Sequence, residues 1–161
     1  MIKNLSKKLA QYDKGNKNIK IAIVGSNYHR YLTKSLEETC KKQLIASGVK
    51  EKNIQVFEVP GSWEIPIVAK NIAISKKFDG IAAFGVIIKG DTYHFEMIAN
   101  ECSKALMEIS LEFNISIALE VLATYNLAQA KKRSTGKYNK GIEAANTLLK
   151  MIRILSETKK L

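Results

Sequence analysis

This chain has little with which to bind a metal or close a disulfide. Its 161 residues include two cysteines, Cys40 and Cys102, and two histidines, His29 and His94. No CxxC pair and no Cys/His ligand spacing occurs, so neither a metal site nor a disulfide framework is expected. Cys40 shares a helical stripe with Leu36 and Leu44, and Cys102 shares one with Ile98 and Leu106, which is the pattern of reduced, buried thiols. No apolar run approaches a membrane span. The basic N-terminus, MIKNLSKKLAQYDKGNKN, lacks the apolar segment of a secretory signal. A cytoplasmic protein with no membrane partner is the expectation. Also missing are a Walker-type phosphate loop, a GxGxxG fingerprint and a GxSxG elbow; Gly25-Ser26-Asn27 is a turn without a dinucleotide signature.

Acidic residues are the scarcer charge: 26 Lys and Arg stand against 15 Asp and Glu, a net charge of +11. Such a balance invites nucleic acid. The lysines are scattered in short clusters, however, and no basic stripe interleaved with aromatics is present. They read as solvated surface, whose field could still draw in a phosphorylated substrate; nucleic acid is not an expected partner.

What is present is ordinary globular composition, 46% hydrophobic and 25% charged, at single-domain length. Strands are read at Ile19 to Val24, Ile54 to Val59, Gly80 to Ile88 and Ile115 to Leu122. Helices are read at Tyr31 to Ser47, Trp63 to Ser75, Thr92 to Phe113, Leu127 to Lys132 and Gly141 to about Glu157. In the last of these, Ile142, Ala145, Leu149 and Ile152 are expected to face inward. Pro66 is tolerable because it falls in a first turn. The third strand, GIAAFGVII, is apolar throughout, as a strand covered on both faces should be. This alternation predicts an α/β fold: a three-layer sandwich, flavodoxin-like, with a four-stranded parallel sheet flanked by helices on both faces. Residues 1–18 form an arm, either flexible or a strand lent to a neighbour, and 19–161 a single domain.

Two stretches carry the chemistry, GVIIKGDTYHFE from Gly85 to Glu96 and VPGSWEIP from Val59 to Pro66. In each, an apolar run meets glycine and polar groups and then helical sequence. That boundary, at the carboxyl end of a strand, is where open α/β sheets bind ligands, and its free N–H groups suit an anion. His94 is placed one turn into a helix and could move protons near neutrality, or be a plain helix-end histidine. Gly90, Asp91 and Thr92 could aim N–H groups at a phosphate, and Thr92 could equally be an N-cap. Glu64 could serve the helix dipole or accept hydrogen bonds from polyol hydroxyls. Trp63 and Tyr28 could each be packing or a flat wall for a ring. Arg133 and Lys140 bracket a polar loop, RSTGKYNK, and could be solvated charge or phosphate ligands.

VPGSWEIP, then GVIIKGDTYHFE, then RSTGKYNKG, in this order, resemble the lumazine synthase family over nearly all the chain from Ile19 onward. The resemblance implies condensation of 5-amino-6-(D-ribitylamino)uracil with 3,4-dihydroxy-2-butanone 4-phosphate, without metal or cofactor. It implies that Tyr28 stacks on the pyrimidine and that Ser62, Trp63 and Glu64 line the ribityl and ring pocket. Val86, Ile87 and Ile88 flank the heterocycle, Gly90, Asp91 and Thr92 hold phosphate, and His94 transfers protons. From the adjacent subunit, Leu119 closes the ring pocket, Arg133 binds phosphate and Lys140 reaches a ring carbonyl. The implied partners are the two small-molecule substrates, copies of the same chain in a pentamer or a sixty-subunit shell, and riboflavin synthase. The arm would add a strand to a neighbour's sheet.

The sequence departs from the family pattern at Val86, where a small or hydroxyl residue is usual, and at Leu119, where an aromatic is common. Glu120 and Ala123 replace a Gly and a Thr, and the basic loop is one residue short. A dismutating riboflavin synthase of the archaeal kind and a non-catalytic flavin carrier are the alternative readings. VPGSWEIP argues against the first, and the His94, Thr92 and Arg133 set against the second.

Overall fold

The structure, a computed structural model, describes residues 16–161. The strand expected from the N-terminal arm lies outside the described residues. Among the described residues there are four strands: β1 (Ile21–Ser26), β2 (Ile54–Val59), β3 (Gly80–Ile88) and β4 (Ser116–Thr124). Five helices connect and follow them: α1 (Arg30–Ala46), α2 (Ile65–Ser75), α3 (His94–Phe113), α4 (Leu127–Ser134) and α5 (Lys140–Thr158). The sheet is parallel in the order β2-β1-β3-β4. This is a flavodoxin-like order, and it reverses direction between β1 and β3.

Side-chain alternation along the strands separates two cores. Ile21, Ile23, Ala82, Phe84, Ala118 and Leu122 face one side, under Leu32, Leu36, Cys40 and Leu44 of α1 and Ala144, Ala145 and Leu148 of α5. Ala22, Val24, Ile81 and Ala83 face the other, under Ile65, Ala69 and Ile72 of α2 and Cys102, Leu106 and Ile109 of α3. Helices on both faces make the expected three layers. β3 is buried almost end to end, as its unbroken apolar run predicts. β4, at the sheet's edge, alternates, and Leu119 stays 45% exposed.

Where helices α1 and α5 cross, Gly141 touches backbone. A Cβ there would lie 2.4 Å from the Leu36 carbonyl oxygen and 2.9 Å from the Cys40 nitrogen. The row meeting α1 is therefore Gly141, Ala144, Ala145 and Leu148. Ile142, expected inward, is instead 39% exposed, because one step along a helix rotates a side chain by about 100°. Ala145 is buried and Leu149 and Ile152 pack partly against this core, as expected.

Several boundaries shift. β1 begins at Ile21 and continues to Ser26, and β4 runs to Thr124. Trp63 lies in a single 3-10 turn, Ser62–Glu64, that leads into α2, and Pro66 sits in the first turn of that helix as its chemistry requires. Helix α4 continues through Arg133 and Ser134, so Arg133 lies on a helix and not in the loop. Lys140 opens α5.

Candidate active site

The first wall of the site is the turn between β1 and α1. The Asn27 N–H donates to the Val59 carbonyl (2.7 Å) and the Tyr28 N–H to the Pro60 carbonyl (3.1 Å), tying this turn to the end of β2. His29 takes a left-handed φ of 54°, a conformation non-glycine residues seldom adopt. Its ring meets that of Tyr28 edge-on at 4.7 Å, and Tyr28 is left 68% exposed. Beneath the turn lies a charge network. Arg30 donates both Nη groups to Glu37 (2.7 and 3.0 Å) and Nη2 also to Glu58 (2.6 Å). The Glu37 side chain is only 6% exposed. It occupies space that only a glycine leaves, since a Cβ on Gly25 would fall 1.6 Å from its Oε1. Burial pushes the Glu37 carboxyl above its ordinary value, and the Arg30 hydrogen bonds oppose that shift. The same hydrogen bonds raise the pKa of Arg30, which reaches solvent, so the pairing supports both charges and it is chiefly burial that works against that of Glu37.

The second wall follows β2. Ser62 is buried against β3, where Gly85 makes room: a Cβ on Gly85 would lie 2.4 Å from Ser62 Oγ. Glu64 Oε2 accepts from the Gly61 N–H at 2.9 Å. One carboxylate oxygen is thus spent on holding the turn, and Oε1 is left for a ligand. Trp63 is 55% exposed.

The third wall is the end of β3, with Val86 and Ile87 buried and Ile88 half-buried, followed by the turn Lys89 to Tyr93. Among the described residues, the N–H groups of Gly90, Asp91 and Thr92 donate no hydrogen bond. Thr92 is not the N-cap; that position is Tyr93, and no side chain caps the helix. His94 is exposed and is the first residue of α3 rather than one turn into it.

These three walls enclose one open cavity of about 600 Å³ at the carboxyl ends of the strands, beside the reversal between β1 and β3. It is lined by Tyr28, Ser62, Trp63, Glu64, Val86, Ile87, Ile88, Gly90, Thr92 and His94, all singled out from sequence. Phe95, Met97 and Ile98 also line it; of these, helical spacing placed Ile98 on a buried stripe with Cys102 and Leu106 and gave it no part in a site. Asp91 is exposed in the turn and does not line the cavity. The floor is apolar, the walls are aromatic, and acceptors, free N–H groups and an imidazole sit at the mouth. That suits a flat, hydroxylated ring compound together with an anion.

Leu119, Arg133 and Lys140 do not line this cavity. Leu119 lies on β4, on the same face as Ile117 and Val121. Arg133 and Lys140 line a separate depression of about 510 Å³, together with Lys132, Lys137 and Tyr138. Arg133 Nη1 donates to the Gln129 carbonyl (3.1 Å), and Lys140 pairs with Glu143, which raises the ammonium's pKa. Between them, Asn139 pins the loop. Its side-chain oxygen accepts from the Gly141 N–H (2.8 Å), while its amide donates to the carbonyls of Ser35 and Ser134. The Asn-Lys-Gly order ahead of an apolar helix was the available sign of that cap.

Burial lifts the nearby Glu120 carboxyl to about 7, with Lys140 opposing the shift. Cys40 and Cys102 are buried, and burial raises their thiols to about 12 and 11, so both are inert. Among the described residues, no group of three His, Cys, Asp or Glu side chains could hold a metal ion.

The sequence profile of the 6,7-dimethyl-8-ribityllumazine synthase family matches residues 18–156. The 6,7-dimethyl-8-ribityllumazine synthase of Polaromonas sp. (strain JS666 / ATCC BAA-500) is 42% identical over 137 residues, which cover 85% of this chain and 87% of that protein.

Proposed function

The chain belongs to the 6,7-dimethyl-8-ribityllumazine synthase family, and we propose that its active site is the strand-end cavity completed by an adjacent subunit. The enzyme is a transferase of riboflavin biosynthesis. It condenses 5-amino-6-(D-ribitylamino)uracil with 3,4-dihydroxy-2-butanone 4-phosphate, releasing 6,7-dimethyl-8-ribityllumazine, phosphate and water. The amine adds to the ketone and loses water to give an imine. Phosphate is then eliminated, and the ribityl-bearing amine closes the second ring with loss of water. Both substrates are reactive by themselves, so holding them together in one cavity supplies much of the acceleration.

In this reading Tyr28 stacks on the pyrimidine and Trp63 forms a second flat wall. Ser62 and the free oxygen of Glu64 meet the ribityl hydroxyls, and Val86, Ile87 and Ile88 form the floor. The phosphate sits at the turn Gly90, Asp91 and Thr92. The observation that carries this placement is the set of N–H groups there that donate to nothing among the described residues, since preorganised donors stabilise an anion best when no other partner holds them. Asp91 contributes its backbone N–H, because its carboxylate would repel phosphate. His94, at the mouth, shuttles the protons of imine formation and elimination.

Leu119, Arg133 and Lys140 lie outside the lining of their own chain's cavity and serve a neighbour's: Leu119 against the ring, Arg133 on phosphate, Lys140 on a ring carbonyl. Lys140 must leave Glu143 to do so. The assembly is a pentamer of single domains spanning 19–161. The short segment between α4 and α5 permits twelve pentamers to close into a sixty-subunit shell. We place the enzyme in the cytoplasm, with riboflavin synthase as consumer of its product; no described helix is long and apolar enough to cross a membrane.

The test is direct. Purified protein and both substrates should form the lumazine, followed by absorbance and fluorescence, well above the uncatalysed background. His94→Ala should lower that rate while the particle seen by electron microscopy stays intact. An unaccelerated reaction with an intact particle would overturn the reading.

A further inference from the structure

We propose that Lys89 and Glu96 are positioning residues that hold the Gly90–Tyr93 turn in its phosphate-accepting shape. This rests on the reading of that turn given above. The turn makes few bonds of its own: its first three N–H groups are unpaired, and the Gly90 side carries nothing within 4 Å of where a Cβ would stand. What fixes it lies at its two ends. On one side the Lys89 N–H donates to the carbonyl of Thr124 (2.9 Å), anchoring the start of the turn to the end of β4. On the other, Glu96 sits in the first turn of α3. Lys89 Nζ reaches across to Glu96 Oε1 at 2.7 Å, so one ion pair closes the loop over the residues between them.

More than the ion pair acts on the ammonium, although the Lys89 side chain is 43% exposed. It lies 5.8 Å from the centroid of Phe95 and 5.8 Å from that of Tyr125, two rings 6.5 Å apart. Cation–π attraction to both favours that one position. Phe95 itself lines the cavity, directly after His94, so the same clasp that shapes the turn also bears on the imidazole's neighbour. The other oxygen, Glu96 Oε2, is buried with no partner among the described residues. One carboxylate oxygen is thus shielded from water while the side chain as a whole stays 29% exposed.

Lys89 could instead be a direct phosphate ligand, and the pair offers a clean separation of the two roles. A direct ligand is strengthened by removing the carboxylate that competes for it, so Glu96→Gln would tighten phosphate while Lys89→Met weakened it. A positioning pair works only intact, so both substitutions weaken phosphate, and the double variant is no worse than either single one. The experiment measures the dissociation constant of inorganic phosphate by calorimetry, and KM for each substrate, on the assembled enzyme. We expect Lys89→Met and Glu96→Gln each to raise the phosphate constant and the phosphate substrate's KM about tenfold, or ~1.4 kcal/mol. The pyrimidine's KM should stay within about twofold, and Lys89→Arg should restore most of the loss.

Phosphate binding that is unchanged or tighter in Glu96→Gln overturns the proposal, as does an equal rise in both KM values. Arg133→Ala serves as reference. If it weakens inorganic phosphate and the two clasp variants do not, the clasp fails while the phosphate site stands. If wild-type protein binds no phosphate at all, the reading of the turn fails first.

Discussion

Removing Arg30 should cost the fold far more at neutral pH than in mild acid. In Arg30→Met, the Glu37 carboxylate keeps its burial against Gly25 but loses both hydrogen bonds. A buried charge left without its partner typically costs ~3–5 kcal/mol. For a domain of this size each kcal/mol moves Tm by about 2–4 °C, so a loss on the order of 10 °C is expected. The pH dependence follows from protonation. The folded Glu37 carboxyl already titrates above its unfolded value because of burial. Between those two values the native state holds more protons than the unfolded one, so this group's contribution to stability is full below the unfolded value and is lost as pH rises through the folded one. Without Arg30 the opposing hydrogen bonds disappear, the folded value climbs further, and that loss extends to higher pH.

The assay is urea unfolding at about pH 5 and about pH 8 at matched protomer concentration, since assembly contributes to apparent stability. Arg30→Met should fall well below wild type at the higher pH and approach it at the lower. Arg30→Met combined with Glu37→Leu, which removes the buried charge, should recover much of the difference, because apolar replacement of a buried pair is often close to neutral. A deficit of equal size at both pH values, or a double variant as unstable as the sum of the singles, would refute the reasoning.

Arg133→Ala should raise the KM of the phosphate substrate at least about tenfold more than that of the pyrimidine, whereas His94→Ala should act on kcat, both read from steady-state rates. Gly85→Ala should displace Ser62, whose hydroxyl lies where the new methyl must go, and weaken the pyrimidine; calorimetric titration with that substrate checks it, at a stability cost of about 1–3 kcal/mol from overpacking. Gly141→Ala meets backbone rather than a yielding side chain, so it should destabilise toward or beyond the upper end of that ~1–3 kcal/mol range in urea melts. Glu120, raised to about 7 by burial, contributes stability that is full below its unfolded value and disappears as pH rises through about 7; Glu120→Gln should flatten stability against pH across that interval.

The layers of the fold were legible because each strand and helix announces its own period. GIAAFGVII has no polar break, and the structure buries it almost throughout. The Leu36, Cys40, Leu44 stripe names the face of α1 that meets the sheet. The strand-end turns were legible for the same local reason, since VPGSWEIP and KGDT are abrupt changes of composition. What escaped is non-local or context-dependent. Arg30 and Glu37 share one face of α1, two turns apart, but Glu58 joins them only once β1 and β2 are paired, and nothing local signals that third member. Helix α4 runs on through Arg133 and Ser134 although the residues there are polar, because the Ser134 hydroxyl donates to the Ala130 carbonyl and its own carbonyl accepts from Asn139. Thr92 has the chemistry of a cap, yet the helix starts two residues later.

One cell carrying two different impaired alleles should grow where neither allele alone supports growth. The His94 side chain and the Arg133 side chain open onto different depressions of the same chain. If every catalytic centre borrows Arg133 from next door, a subunit lacking only His94 still lends an intact arginine, and a subunit lacking only Arg133 still offers an intact imidazole. Mixed rings would then contain some centres with both. Co-expression of the two alleles should rescue riboflavin prototrophy, and with random mixing at equal dose it should leave the same share of complete centres as both lesions on one polypeptide beside a wild-type copy. Heredity would thus register the boundary between subunits without any image of the particle.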